Sequence, residues 1–262
     1  MASAWTTIII ERTKGVATVT LNRPEARNAI NRQMAEDLLA AFRDLAADET
    51  LRAVIVTGQG ERAFCAGADL IERRSLAPDA RWRHTQAIAA AADAIVACPV
   101  PTIAAIRGYA LAGGTELALA CDLRVAGDDA VFGLPEVKIG IFPGAGGPVR
   151  LPALIGGGAA RDLLLTGRQV RAGEAKEIGL IERLVPVKEV MTTARALATE
   201  IAANAPLATR ALKEALTASA GTTPAEAHEI VARFRQPLDA TADYAEGLEA
   251  FQEKRRPRFR GE

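Results

Sequence analysis

Two carboxylates stand where the surrounding sequence gives no ordinary reason for one. Residues 108–120 read GYALAGGTELALA and are small and apolar apart from Thr115 and Glu116. Residues 131–141 read VFGLPEVKIGI, with Glu136 directly after Pro135 in an otherwise apolar run. Glu116 is either a first-turn carboxylate favoured by the positive end of a helix or a functional group kept in a dry pocket. Glu136 is either a loop-end charge turned to water or a second member of such a pocket. Two turns nearly free of side chains accompany them: Ala66-Gly67-Ala68 after Phe64-Cys65, and Ala112-Gly113-Gly114 leading into the segment that carries Glu116. Small residues let main-chain N–H groups approach a ligand, and the first N–H groups of a helix have no partner within it. These turns are either close-packed corners or, used together, a pair of donors for an oxygen that gains negative charge in a reaction.

The rest of the inventory narrows the chemistry. His84 and His228 are the only histidines, and Cys65, Cys98 and Cys121 form no C-x-x-C pair, so no metal site is expected. Serine occurs only as Ser3, Ser75 and Ser219, none in a G-x-S-x-G turn or beside a histidine, which sets a Ser-His triad aside. The run Gly144-Ala145-Gly146-Gly147 imitates a dinucleotide fingerprint but has Val149 where the third glycine belongs, and no Walker loop is present. That run is expected to wall a water site after Glu136 and bring an amide near the water, not to hold a nucleotide phosphate. Carboxylates, backbone amides and arginine remain as the working groups.

These groups must be positioned by ordinary globular structure. The chain has 262 residues, 49% hydrophobic and 24% charged, long enough to bury a core without disulfides or metals. Lys plus Arg and Asp plus Glu are 32 each, so no field holds a nucleic acid or an anionic membrane, and neither partner is expected. The three cysteines sit in apolar or Gly/Ala-rich contexts and read as small, reduced core residues. The apolar residues 8–10 run straight into Glu11 and Arg12, too short for a secretory signal, and the apolar region 87–106 is broken by Asp93, Pro99 and Pro101. A soluble, cytoplasmic protein is expected.

Residues 6–11 and 16–21 are β-branched runs around Lys14-Gly15, the pattern of a hairpin. Met34, Leu38, Phe42 and Leu45 recur at helical spacing over residues 31–47. Short apolar strands are expected at 53–57, 101–106 and 123–126 with helices between them, hence a largely parallel, covered sheet. Beyond about residue 155 the pattern is helical at 159–165, 172–178, 188–204, 207–218, 224–234 and 238–251, with only 181–185 extended. The organisation is an α/β core over residues 1–200 followed by a helical region over 201–262.

Five segments together resemble the crotonase, or enoyl-CoA hydratase/isomerase, superfamily: LNRPEARNAIN at 21–31, AFCAGADL at 63–70, GYALAGGTELALACDLRVA at 108–126, FGLPEVKIGIFPGAGG at 132–147 and GLEAFQEKRRPRF at 247–259. The resemblance spans essentially the whole chain. It implies an α/β spiral of ββα units with a helical C-terminal trimerisation region. It implies that the N–H groups of Ala68 and Gly113 bind the thioester oxygen of an acyl-CoA and that Glu116 and Glu136 are the catalytic pair, Glu116 as base toward water and Glu136 as acid toward C2. Retention of both glutamates favours hydration of a 2-enoyl-CoA to the 3-hydroxyacyl-CoA, a hydro-lyase reaction of lipid metabolism. Such chemistry requires no cofactor, CoA being part of the substrate.

The resemblance further implies acyl-CoA contacts from Ala26, Ala66, Asp69, Leu70 and Gly144. It places Phe251 and Lys254 at the CoA of a neighbouring subunit in a homotrimer or a homohexamer made of two trimers. Departures are Ala112 in place of a third glycine, Glu25 where some members carry a lysine near the CoA phosphates, and Pro148 where threonine is common. The alternatives within the resemblance are double-bond isomerisation, hydration of a methylglutaconyl-type thioester, and a non-catalytic or RNA-binding relative. Residues 71–85, IERRSLAPDARWRHT, are expected to wall the acyl pocket, with Leu76 and Trp82 limiting chain length. Arg81, Arg83 and His84 either receive a substrate carboxylate or lie on a solvated helix face.

Overall fold

A hairpin opens the chain: β1 (Ile8–Thr13) pairs antiparallel with β2 (Val16–Leu21) across Lys14 and Gly15, both in the left-handed region. The computed structural model describes residues 5–262. Asn31 caps α1 (Arg32–Ala46), its side chain accepting from the Met34 N–H, and Met34, Leu38, Phe42 and Leu45 are buried as one stripe. Three β–β–α units follow. β3 (Ala53–Gly58) and β4 (Ala63–Cys65) lead to α2 (Leu70–Ser75) and α3 (Pro78–Val96). β5 (Thr102–Ile106) and β6 (Tyr109–Leu111) lead to α4 (Gly113–Ala120). β7 (Leu123–Gly127) and β8 (Val131–Gly133) lead to α5 (Gly147–Ile155) and α6 (Gly157–Thr166).

In each unit the first strand enters a six-stranded sheet and the second a four-stranded one. The remaining strands of the core are β9 (Gln169–Arg171) and, after α7 (Ala172–Glu177), β10 (Arg183–Val185). The sheet orders are β1-β2-β3-β5-β7-β10 and β4-β6-β8-β9. From β2 to β10 the larger sheet is parallel, and so is the run β4-β6-β8. The chain therefore winds as a spiral that alternates between sheets, the arrangement the resemblance implies.

The larger sheet is covered on both faces, which explains why β3 and β5 are apolar without alternation. Val54, Val56, Ala104 and Ile106 face the main core with α1, α3 and α4. Ala53, Ile55, Ile103 and Ala105 face Val190, Ala194, Leu197 and Ala198 of α8 (Val190–Ala202). The cysteines are free and buried, and burial pushes the thiols of Cys65 and Cys121 up to about 12, so they pack as small apolar groups.

The C-terminal helices are α9 (Pro206–Ser219), α10 (Pro224–Arg235) and α11 (Ala242–Glu253). The buried Lys213 ties α9 to the core, its Nζ donating to Asp122 Oδ2 at 2.7 Å and to the Val100 carbonyl at 3.0 Å. The chain end folds back on α11, where the buried Asp243 accepts from the N–H groups of Arg260 and Gly261. Among the described residues no helix is long and apolar enough to cross a membrane.

Three expectations need correction. The helix expected over 238–251 begins at Ala242, because Gln236–Ala240 form a 3-10 turn and Thr241 caps the next helix by accepting from the Tyr244 N–H. The helix expected from 188 begins at Val190 after another 3-10 turn. Residues 181–185 are not the only extended segment after 155: β9 is a second, three residues long and antiparallel to β8.

Candidate active site

The two glycine-containing turns meet at the ends of adjacent parallel strands. After β4, Ile30 bridges the first turn: its N–H donates to the Gly67 carbonyl at 2.7 Å and its carbonyl accepts from the Asp69 N–H at 2.9 Å. The Ala68 N–H between them has no acceptor among the described residues. After β6, Ala112 takes φ 51°, ψ −126°, a conformation that costs an ordinary residue about 1–3 kcal/mol, and it aims the Gly113 N–H at the start of α4. That N–H is an unpaired first-turn donor.

Packing locks the turns to each other. A Cβ on Gly67, at φ 93°, would lie 2.6 Å from the Ala112 Cβ, and one on Gly114 would lie 2.1 Å from the Cys65 carbonyl oxygen. A Cβ on Gly113 would stand 3.7 Å from the Ala68 nitrogen, so the two N–H groups belong to neighbouring stretches of backbone. Thr115 braces the corner, its hydroxyl lying 2.6 Å from the Ala110 carbonyl and 2.9 Å from that of Gly133.

Both carboxylates face the same cavity, of about 230 Å³, just below the ~300–1,000 Å³ of typical ligand clefts. Glu116, 3% exposed on the wholly buried α4, accepts at Oε1 from the Ala145 N–H at 2.7 Å and the Gly147 N–H at 2.8 Å. Burial raises its pKa, while those two donors and Arg150 work in the opposite direction. Glu136, 8% exposed in the 3-10 turn Pro135–Ile139, has its Oε2 buried with no protein hydrogen-bond partner. Burial, together with the nearby Glu116, pushes Glu136 up to about 7. Burial raises both, but two amide donors favour the charged form of Glu116, whereas Glu136 Oε2 has no protein partner.

This has a measurable effect on folding. Glu136 binds its proton more tightly folded than unfolded, so stability is lost as pH rises from the ordinary 4.5 through about 7. Glu136→Gln is expected to match the wild type in denaturant unfolding below about pH 4 and to exceed it above about pH 7. The gain is expected to reach at most about 3 kcal/mol. Equal stabilities at pH 8 would refute it.

Of the residues singled out in the sequence, Glu116, Glu136, Ala68 and Gly113 line this cavity, as do Ala66, Leu70 and Gly144. Ala26 and Asp69 do not. Ala26 ends the 3-10 turn Pro24–Ala26, and Asp69 caps α2 by accepting from Ile71 and Glu72 N–H while its Oδ2 holds Arg23 at 2.9 Å. Phe251, 86% exposed, and Lys254, in the left-handed cap of α11, lie outside the cavity of their own chain. The glycine run walls the site, but the Ala145 and Gly147 amides are spent on Glu116 rather than offered to a water.

Of the stretch 71–85, Arg73 and Thr85 line the cavity, but the residues singled out within it do not. Trp82 is 61% exposed, Leu76 and Arg81 and Arg83 are outside the lining, and His84 is buried with Nε2 3.0 Å from the Ile30 carbonyl. Beside Thr85, Ile88 of α3 lines the cavity, with Ile139 and Phe142 at its apolar rim. Lys138 lines it too and was missed, while Arg73 lay in the expected stretch without being singled out. Asn28 was also missed: fully buried at φ 55°, it accepts from the Arg23 N–H and donates to the Gln59 and Ala63 carbonyls, pinning the 21–31 loop against β4.

A ββα spiral holding two outward N–H groups and two carboxylates in one cleft defines an acyl-transforming enzyme fold, and the solved structures agree. A crystal structure of enoyl-CoA hydratase from Bacillus anthracis superposes with a TM-score of 0.97 at 40% identity, covering 98% of this chain and all of that one. The chain belongs to the enoyl-CoA hydratase/isomerase family, whose family model matches residues 11–262. It is 47% identical over 246 residues to YngF of Bacillus subtilis (strain 168), named as an enoyl-CoA hydratase/isomerase, covering 94% of this chain and 95% of the relative. It is 40% identical over 255 residues to the enoyl-CoA isomerase/hydratase fer4 of Mycosarcoma maydis, covering 94% and 93%.

Proposed function

We propose that this chain is an enoyl-CoA hydratase that adds water reversibly across the 2,3 double bond of a 2-enoyl-CoA. The observation that carries the reading is the pair of buried carboxyls in one cavity, Glu116 held by two amide donors and Glu136 with its Oε2 unpartnered. The thioester oxygen lies at the Ala68 and Gly113 N–H groups, which stabilise the negative charge that reaches it as C3 is attacked. Glu116 takes a proton from the attacking water through the oxygen its amide donors leave open. Water oxygen bonds to C3, and the protonated Glu136 delivers hydrogen to C2. The roles reverse for dehydration. No metal or redox cofactor enters this chemistry.

The direct test is incubation with crotonyl-CoA in heavy-oxygen water. Loss of the conjugated thioester absorbance with one labelled oxygen in 3-hydroxybutyryl-CoA supports hydration. A shifted double bond without label from a longer 2-enoyl-CoA would make the chain an isomerase.

Assembly belongs to the same reading. Leu248 and Phe251 leave an apolar face exposed one turn before Lys254, Arg255 and Arg256, a layout suited to an adenine ring and a phosphate. We assign α9–α11 to trimer formation, as a homotrimer or a dimer of trimers, with Phe251 and Lys254 reaching the CoA of a neighbouring copy. Lys254→Ala is then expected to raise KM for CoA thioesters about tenfold, a loss of about 1.4 kcal/mol, and to leave pantetheine thioesters lacking the 3′-phosphate little changed. Equal effects on both, or a fully active monomer in sedimentation, would contradict this. The free, buried cysteines suit a reducing compartment, and a cytoplasmic location is part of the proposal.

A further inference from the structure

Glu116 Oε1 rests on two amides, and one arginine holds the peptide groups that present them. The donors are the N–H groups of Ala145 and Gly147, and the peptide between them offers the Ala145 carbonyl. Arg150 Nη1 donates to that carbonyl at 2.7 Å. The Arg150 main-chain N–H donates at 2.8 Å to the Gly146 carbonyl, which belongs to the peptide carrying the Gly147 N–H. A Cβ on Gly146, at φ 104°, would lie 1.9 Å from Nη1, so the guanidinium lies directly against the turn. Its far side is held as well: Nη2 donates to Asp93 Oδ1 on α3 at 2.5 Å. The Arg150 side chain is 20% exposed and that of Asp93 71%, so water screens the ion pair mainly at its acidic end.

Arg150 does not line the cavity, and water addition as proposed assigns it no step. A carboxylate that accepts two fixed N–H bonds beside a cation is favoured as the anion, the form a general base needs. Burial pushes Glu116 up, and the Gly147 and Ala145 amides, then Arg150, work against it. The other charged groups about the carboxylate are Glu136 and Lys138 of the 3-10 turn and Arg73 of α2, which line the same cavity. From α3, Asp93 meets Arg150 from outside and His84 is turned to the Ile30 carbonyl. We propose that Arg150 is a positioning residue of the hydration reaction, holding the Ala145–Gly147 turn so that its two amides grip Glu116 as the anion that takes a proton from water. The inference deepens the hydratase reading and rests on Glu116 as its base.

The test reads the acid limb of kcat/KM for crotonyl-CoA, which reports the base of the free enzyme. Arg150→Met keeps an unbranched apolar stem and removes the charge and the side-chain donors. Without them the Glu116 anion is less favoured, so the limb is expected to move up by about one pH unit, while KM stays within about threefold. Arg150→Lys restores the charge without the fork and is expected to lie between. Asp93→Asn breaks the ion pair between α3 and α5 but leaves the guanidinium on the turn, and its limb is expected not to move up. An acid limb unmoved in Arg150→Met overturns the proposal. So does a limb that rises as far in Asp93→Asn, which would tie the shift to the packing of α3 on α5. Carbon NMR titration of protein labelled at its glutamate carboxyls reads the same shift without substrate, the Glu116 resonance being the one lost in Glu116→Gln. If the wild type hydrates no enoyl thioester while that resonance titrates higher in Arg150→Met, the hydratase reading fails and the hold of Arg150 on Glu116 stands. Should Arg150→Met not fold, Arg150→Gln, which removes the charge but keeps an amide donor, decides by the same two measurements.

Discussion

Glu116→Gln and Glu136→Gln are each expected to lower kcat for 2-enoyl-CoA hydration by about 10² or more while leaving acyl-CoA affinity within about threefold. The two losses have different origins. In the Glu116→Gln variant the new side-chain amide can still accept from the Ala145 and Gly147 N–H groups, but it cannot take a proton from water. In the Glu136→Gln variant the amide keeps the neutral shape of the acid but has no proton to give C2. In the wild type, kcat/KM is expected to fall as pH rises through about 7, because Glu136 loses its proton there, and to fall again in acid as Glu116 gains one. The charged groups sharing the cavity with Glu136 are Glu116, Arg73 and Lys138. Glu116 holds the alkaline limb up and Arg73 pulls it down. A Glu136→Gln enzyme that hydrates crotonyl-CoA at near the wild-type rate would falsify the two-carboxyl mechanism and leave a one-glutamate reaction.

Gly114→Ala is expected to cost about 10² or more in kcat without touching a reacting atom, because main-chain donors are removed by displacement and not by deletion. The added methyl would lie 2.1 Å from the Cys65 carbonyl oxygen, 2.8 Å from its carbon and 2.9 Å from its Cβ. Backbone surrounds it, so α4 and β4 must part, and the Ala68 and Gly113 N–H groups move with them. Overpacking of this kind destabilises by about 1–3 kcal/mol, which denaturant unfolding reads separately from rate. Gly158→Ala in α6 is the control, since a Cβ there would meet nothing within 4 Å and a helical alanine is favoured. It should leave rate unchanged and raise stability slightly. Full activity in Gly114→Ala would mean that the two turns do not form one donor pair.

The long elements were legible because their signals are periodic. The stripe Met34 to Leu45 and the unbroken apolar runs of β3 and β5 needed only spacing and the expectation of a two-sided sheet. The strands β4, β6, β8 and β9, three residues each, fall below the length at which alternation means anything, and the first three of them lead into the turns that carry the site. Glu116 and Glu136 stood out because charge in apolar sequence is costly to bury. Arg73 did not, since it lies among several charges in residues 71–85, and only the fold of the α2–α3 corner decides which of them turns inward. His84 shows the converse. Its candidacy as an anion receptor ends where its ring meets the Ile30 carbonyl, a contact 54 residues away in sequence. Asp69 enters as a ligand contact only through the resemblance, and nothing local in the sequence signals that Arg23 claims it.

The donors at Ala68 and Gly113 are main-chain groups, set at the ends of neighbouring strands and held there by backbone packing. Substituting the side chains at those positions does not remove them. Glu116 and Glu136 are each one nucleotide change from losing a carboxyl. On the proposed mechanism the scaffold thus separates donors that no side-chain change at Ala68 or Gly113 deletes, though a methyl on Gly114 displaces them, from proton-moving groups that a single change removes. Under that mechanism, descent from such a chain would be channelled: a new reaction would keep the donor pair and change the groups that meet the substrate.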